Sequence, residues 1–446
     1  MSRLFNFAAG PAMMPEPVLA RARDELLDWN GHGLSVMEMP FTGSVFKEIT
    51  ATAVSRLSAL LDLPPGYRIL LMHGGAMAQL ALVPLNLAAS GASPDAGADY
   101  VETGYWSGRA ITEARRYCRV EIAASGESSG FTHIPAETEW RLRPDAAYCH
   151  ITTNETANGV QFPATPETGD VPLVADMTSD FLTRPLDVSG YGLLYASAQK
   201  NVGPSGLTIV VLREDLGGHA HPLTPSVFDY SIQMEKDSRY NTPSTFSIYL
   251  AGLVFQWIEG QGGLAAMERA SEAKSRKLYA AIDDGDFYRC PVTPEARSRV
   301  NVCFTLADPA LEGVACVIFD EIHKRSLNVD LGLALAMEAQ SVFRDDLHIL
   351  AMSATLDTGK FAGIMGAPVI ESEGRQFPVE TKYLGRTRDR IEDQMAGAIE
   401  KAARAESGSI LAFLPGAGEI RRTADRLSSL PANISVHPLF GALSPR

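Results

Sequence analysis

The sequence predicts an α/β fold built on a mostly parallel sheet. Short apolar runs alternate with stretches of helical periodicity over the first 260 residues. Several runs end in glycine, small polar residues or a single charged residue, the pattern of strand ends that feed loops. The composition is that of an ordinary globular chain, with AVILMFWYC at 46% and DEKR at 21%, which excludes disorder and collagen-like repetition. At roughly 150 residues per domain, 446 residues suggest about three domains.

The elements follow in order. Residues 1–15 are irregular, with Asn6, Gly10, Pro11 and Pro15. Pro17 suits a first helical turn, and Val18, Leu19, Ala22, Leu26 and Trp29 recur at helical spacing, predicting a helix over 16–30. A second helix is expected over 44–62, stopped by Pro64-Pro65-Gly66. Tyr67 to Met72 reads as a strand that runs into His73-Gly74-Gly75-Ala76, and then a helix to about Ala89. Strand, glycines and helix together offer backbone N–H groups and a positive helix end to an anion. Further strands are expected at 98–102, 119–123, 147–151, 171–176, 192–197 and 207–212, and helices at 106–117, 244–260 and 264–283.

After about residue 312 the vocabulary changes. Val314 to Phe319 reads as a strand ending in Asp320-Glu321-Ile322-His323, followed by a helix over 329–340. His348 to Met352 reads as a strand ending in Ser353-Ala354-Thr355. A helix is expected over 387–406 and a strand at Ser409 to Leu414. No internal repeat links the two parts.

Charge and cysteine usage narrow the function. The net charge is −14, of which residues 1–312 carry −12 and residues 313–446 carry −2. Such a chain is a poor partner for nucleic acid, which is bound through Lys and Arg. Small anionic substrates remain compatible, because a site can be locally positive. Cys118, Cys149, Cys290, Cys303 and Cys316 are odd in number and widely spaced, so neither a zinc site nor a disulfide framework is expected, and no metal is assigned. Met1 to Gly10 does not read as a signal peptide, and no apolar run approaches the ~18 residues of a membrane span. The expected location is cytoplasmic.

Candidate chemistry gathers at strand ends. Lys200 stands in Ser197-Ala198-Gln199-Lys200-Asn201, between a strand and Gly203-Pro204-Ser205-Gly206. Alone it reads as a solvated loop lysine; its functional reading is a Schiff-base lysine. Asp176 ends a strand 24 residues earlier and could cap a turn or face a pyridinium nitrogen. Gly75-Ala76-Met77 could cradle a phosphate, Trp106 could stack on a cofactor ring, and Thr156 of Asn154-Glu155-Thr156 could bond a cofactor oxygen. Each signal is weak alone; four of them at strand ends in this order are much stronger.

These residues carry a resemblance. Residues 1 to about 311 resemble the phosphoserine aminotransferases, fold-type I enzymes that use pyridoxal 5′-phosphate. The matching stretches are Phe5-Asn6-Phe7-Ala8-Ala9-Gly10-Pro11-Ala12, His73-Gly74-Gly75, Tyr105-Trp106-Ser107, Asn154-Glu155-Thr156, Ala175-Asp176-Met177-Thr178-Ser179-Asp180, the Ser197 to Gly206 loop and Tyr240-Asn241-Thr242-Pro243. The resemblance implies that Lys200 bonds the cofactor and moves protons. It implies that Asp176 pairs with the ring nitrogen and that Trp106 stacks on the ring. Ala76 and Met77 would bind the phosphate, with Gln199 nearby and Thr156 touching the cofactor. Asn241 and Thr242 would reach the neighbouring subunit's cofactor, which implies a homodimer with shared sites. The implied reaction moves an amino group from L-glutamate to 3-phosphooxypyruvate, giving phosphoserine and 2-oxoglutarate; the family also serves a related step toward pyridoxine. Where the family often has Ser-His-Arg, this chain reads Pro40-Phe41-Thr42, and the family's C-terminal arginine-bearing segments do not follow Val300 to Thr305.

The second part resembles a different family. Val317-Ile318-Phe319-Asp320-Glu321-Ile322-His323-Lys324-Arg325-Ser326 is similar to motif II of DEAH-box ATP-dependent helicases. Met352-Ser353-Ala354-Thr355-Leu356 is similar to their motif III, and Phe413-Leu414-Pro415-Gly416 with Glu419-Ile420 to the start of their second lobe. A GxxxxGK[ST] phosphate loop is missing, so neither ATP hydrolysis nor RNA unwinding is expected. The expected organisation is a cofactor-binding large domain over 1–260, the start of a truncated small domain over 261–311, and a partial RecA-like α/β region over 312–446. The join is placed near residues 308–314. Its alternatives are a helicase fragment with an incidental extension and a non-functional chimera.

Overall fold

Pro15 and Pro17 open the first helix, α1 (Glu16–Asp24), whose Val18 and Ala22 face inward. It is shorter than its periodicity suggested. The chain turns after Glu25, and the apolar Leu26 and Trp29 continue as turns and a single 3₁₀ turn at Trp29–Gly31. In this computed structural model the described residues are 3, 6–88, 97–285, 288–306, 316–319, 327–342, 347–352, 358–370, 389–405, 410–427, 430–431 and 434–438.

The remaining elements of the first part fall close to their predicted positions. α2 (Ser44–Leu60) buries Phe46, Ile49, Ala53 and Leu57 on one stripe. It is followed by β1 (Tyr67–Met72), α3 (Gly75–Leu87), β2 (Ala98–Glu102), α4 (Tyr105–Ala114), β3 (Val120–Ser125), β4 (Cys149–Thr152), β5 (Leu173–Asp176), β6 (Leu193–Ser197) and β7 (Thr208–Arg213). A short α5 (Tyr230–Glu235) precedes α6 (Thr245–Gly260) and α7 (Gly263–Asp283).

β1 to β7 form one sheet in the order β1-β7-β6-β5-β4-β2-β3. β7 runs antiparallel to both of its neighbours, and every other pairing is parallel. Six strands therefore point one way, and β1, β2, β4, β5 and β6 deliver their carboxyl ends to a single edge. Helices cover both faces, as a sheet with parallel strands requires. On one face Ile69, Leu71, Ile151, Ala175, Leu194 and Val211 pack with α2 and α6. On the other, Leu70, Tyr100, Val174, Leu193, Tyr195 and Val210 pack with α3 and α4. A Cβ on Gly252 would stand 3.3 Å from that of Ala53, so α6 and α2 meet at close range.

Beyond α7, β8 (Tyr288–Arg289) pairs antiparallel with β9 (Thr305–Leu306). Val292 and Ala296 bury against Val160 of the large sheet's loops. β10 (Cys316–Phe319) and β11 (His348–Ala351) form a parallel pair, with α8 (Leu327–Val342) between them in sequence. Later come α9 (Thr358–Met365), α10 (Ile391–Ala405) and α11 (Ala417–Arg426). Compactness divides the chain into Met1–Leu356 and Asp357–Arg446. In the second unit Arg422 bonds Glu392 and Arg426 bonds Asp393, which ties α11 to α10.

Two expectations for the later part change, and others fall outside the described residues. Residues 410–414 form no strand, and Leu411 and Phe413 are largely exposed where a core strand would bury them. A RecA-like domain is not shown: among the described residues after 312 the only sheet is the β10–β11 pair. The motif II-like Asp320 to Ser326, the motif III-like Ser353 to Thr355 and the expected join lie outside the described residues. Among the described residues no helix is long and apolar enough to cross a membrane, and no group of three His, Cys, Asp or Glu is placed to hold a metal ion.

Candidate active site

The shared strand edge creates a cavity. Gly74, Gly75, Ala76, Met77, Trp106, Thr156, Asp176, Gln199 and Lys200 line it, with Thr152, Asn154, Thr178, Ser179 and Ser197 between them. Seven of the nine predicted site residues thus meet in one place.

One end of the cavity is made by β1 and α3. Gly74 caps the helix at φ +93°, a left-handed conformation, and a Cβ there would stand 2.4 Å from that of Ala78. Only glycine satisfies both conditions. The first backbone bond back into the turn comes from Ala78 N–H to Gly74 O, so the N–H groups of Gly75, Ala76 and Met77 have no intrahelical acceptor. They point the positive end of the helix at the cavity.

Trp106 is fixed by a side chain from the loop after β4. Glu155, buried after β4, accepts the Trp106 and Ser107 N–H groups at 2.8 Å each and the Ser107 hydroxyl at 2.7 Å. Asn158 accepts the Tyr105 N–H at 3.0 Å. The loop after β4 therefore caps α4, and Trp106 and Thr156 line the same cavity. Burial pushes the Glu155 carboxyl above its ordinary range, and the Ser107 and Trp106 donors pull it back.

Asp176 and Lys200 carry the charge. Burial raises the Asp176 carboxyl, while the Thr178 donors and then the Lys200 charge lower it. Thr178 N–H donates to its Oδ1 at 2.9 Å. Burial lowers the Lys200 amine, opposed by the charges of Asp176, Asp180 and Glu155. The amine donates to Ser179 Oγ at 2.7 Å and to Thr156 Oγ1, and those two hydroxyls are 2.5 Å apart. Gly10 packs on the lysine stem, where a Cβ would lie 3.0 Å from Lys200 Cγ. Ala12 N–H donates to Gln199 O at 2.8 Å, so the N-terminal arm closes over the same loop. Ser197 Oγ donates to Gln199 Oε1.

Asn241 and Thr242 do not join this cluster. Both are exposed, and Asn241 lines a separate cavity with Met72, His73, Gln233 and Ser238. Sequence reasoning missed Ser179 as a site residue, although it stands three residues after Asp176 in a run of small polar residues at a strand end. It also missed Glu155 as the cap of α4, because that partnership joins residues 48 apart.

The aminotransferase class-V family model matches residues 4–326. The phosphoserine aminotransferase of Janthinobacterium sp. (strain Marseille) is 52% identical over 313 residues, 70% of this chain and 86% of that one. This chain belongs to the phosphoserine aminotransferases, within the class-V aminotransferase family. Solved members of this family are similar in fold. The phosphoserine aminotransferase from Bacillus circulans subsp. alkalophilus superposes with TM-score 0.67 at 44% identity, over 70% of this chain and 85% of its own. The PLP-bound enzyme from Trichomonas vaginalis gives TM-score 0.66 at 34% identity, over 76% and 91%. The family match runs past the expected join at 308–314, and none of these relatives supports the helicase-like reading of residues 313–446.

Proposed function

We propose that this aminotransferase uses pyridoxal 5′-phosphate to transfer the amino group of L-glutamate to 3-phosphooxypyruvate, giving phosphoserine and 2-oxoglutarate in serine biosynthesis. The observation that carries the reading is the joining, in one cavity, of a helix N-terminus, a buried carboxylate, an indole and a lysine amine lowered by burial. The residues fit the group. The free N–H groups of α3 suit a phosphate, and the buried Thr152 hydroxyl on the cavity wall has no protein partner among the described residues.

Bound there, the cofactor's ring supplies an electron sink for the substrate's α-carbon. The chain's own residues do the rest. Lys200 would supply the nucleophilic amine, which burial makes easier to deprotonate, and then hold a proton beside the reacting carbon. Thr156 and Ser179 hold that amine in place. Asp176 would pair with the ring nitrogen, and Trp106 would cover the ring and exclude water. Ala76 and Met77 bind the phosphate through their N–H groups, with Gln199 beside them. Asn241 and Thr242, exposed and outside the lining of their own chain's cavity, would serve the neighbouring subunit's site in a homodimer. The expected setting is cytoplasmic, and the related step toward pyridoxine draws on the same site.

The test is spectroscopic. The purified chain with pyridoxal phosphate should develop visible absorbance that bleaches on adding L-glutamate and returns with 3-phosphooxypyruvate, with phosphoserine detected by mass spectrometry. Lys200→Ala should show neither. Normal bleaching in Lys200→Ala, or no absorbance in the unaltered chain, would overturn the assignment.

A further inference from the structure

Asn154 lines the cavity just past the end of β4 and has no part in the reaction proposed above. It is 2% exposed. A later segment of the chain holds its amide. The Ser298 hydroxyl donates to Asn154 Oδ1, and Asn154 Nδ2 donates to Asn301 Oδ1 at 2.8 Å. That segment is itself pinned to the loop after β4. Ser298 N–H donates to Gly159 O at 2.9 Å, and Gln161 N–H donates to Ala296 O at 2.8 Å. A Cβ on Gly159 would stand 3.0 Å from Asn301 O, so the two backbones meet at close range.

Ser298 fixes which way the amide points. The residue is fully buried, and its hydroxyl oxygen accepts the N–H groups of Val300 at 3.1 Å and Asn301 at 2.9 Å. Both lone pairs are then used, and the hydroxyl proton goes to Asn154. Only the amide oxygen can accept it, so Oδ1 faces Ser298 and the NH₂ group faces Asn301. An amide nitrogen carries two N–H groups. Asn301 takes one, and among the described residues the other has no acceptor. A buried N–H on a cavity wall is costly until a ligand meets it.

We propose that Asn154 is a binding residue whose second N–H donates to an acceptor oxygen of the ligands in this cavity, with Ser298 and Asn301 as its positioning residues. The proposal rests on the pyridoxal phosphate reading above. Two oxygens have the required chemistry: the ring hydroxyl oxygen of the cofactor and a carboxylate oxygen of the amino-acid substrate.

Asn154→Asp tests it, because it keeps the frame and removes the donor. Ser298 can still donate to one carboxylate oxygen, and the Asn301 amide can turn and donate to the other. Both donors favour the charged form. Dissociation constants are read by absorbance titration for three ligands. They are pyridoxal phosphate, its analogue without the ring hydroxyl, and, on the loaded chain, α-methyl-L-glutamate, which has no α-proton to lose. A loss on the order of tenfold is expected for one ligand class, the worth of a hydrogen bond to a charged group. Loss for pyridoxal phosphate with the analogue unchanged puts the acceptor on the cofactor. Loss confined to α-methyl-L-glutamate puts it on the substrate. Equal loss for pyridoxal phosphate and its analogue marks a merely structural role and overturns the proposal, as does no loss for any ligand. If Asn154→Asp does not fold, Asn301→Ala, which releases the amide, should show the same selective loss in smaller measure; a uniform loss or none overturns the proposal. An unaltered chain that binds no pyridoxal phosphate sinks the cofactor reading and this proposal with it, whereas normal binding there without selective loss in the variant sinks this proposal alone.

Discussion

At Lys200 the decisive quantity is a proton. Burial places the amine below its ordinary 10.5, so it becomes a free nucleophile at lower pH than an exposed lysine does. The rate at which pyridoxal phosphate condenses with the cofactor-free chain should therefore rise with pH around a midpoint below 10.5, followed by absorbance in a stopped-flow pH series; a midpoint at or above that of free lysine would contradict the burial. Gly74 is decided by geometry. Gly74→Ala must take a left-handed conformation and move Ala78, which should cost roughly 1–2 kcal/mol from the backbone alone, read as a lower urea midpoint, and weaken phosphate-bearing ligands. Both residues were legible in the sequence, Lys200 by its glycine-rich loop and Gly74 by its place between strand and helix. Ser179 was not, because a serine shows nothing of the amine it will meet 21 residues later.

Among the elements, α4 shows how a helix is placed by a residue outside it. Tyr105, Trp106 and Ser107 begin the helix, and Gly104 before them has no side chain to cap it. Glu155 supplies the acceptors instead, and Gly104 must be small, since a Cβ there would come within 2.8 Å of that carboxylate's Cγ. Glu155→Ala should leave several donors unmet and cost about 1–3 kcal/mol in urea unfolding. It should also blue- or red-shift the Trp106 emission, checked against Trp106→Phe. The helix and strand positions were readable because each needs only local periodicity. α1 ended early for a tertiary reason: Glu25 accepts from Tyr249 at 2.6 Å and from Arg21, which holds the chain as it turns away from the α1 axis.

For the whole molecule, the buried apolar side chains concentrate between residues 18 and 264. Among the described residues after 312, only Leu333, Leu347, Ala396 and Leu427 are buried apolar positions. Limited proteolysis should therefore cut within 358–446 before it cuts within 18–264, followed by mass spectrometry over time; the reverse order would show a different distribution of stability. Assembly makes a further prediction. If Asn241 and Thr242 complete the neighbour's site, a mixture of Lys200→Ala with the double variant Asn241→Ala, Thr242→Ala should regain about a quarter of normal activity, since half of random dimers carry one intact site of two. Two inactive variants that stay inactive when mixed would mean that each chain completes its own site.

The sequence alone determined the local elements and the family over its first 311 or so residues, and it singled out Lys200, Asp176 and Trp106, which the fold brings into one cavity. The elements follow from period and glycine placement and the family from its run of matching motifs, all of which can be read along the chain. It misread residues 410–414 as a strand, because an apolar run signals burial only when something packs against it. Tertiary structure decided what the chain could not state in one dimension. With β7 alone reversed, six carboxyl ends share one edge, Glu155 reaches across to α4, and burial shifts the titration of Lys200, Asp176 and His150. Distance through space and exclusion of water are what set those, and neither is written in the order of residues.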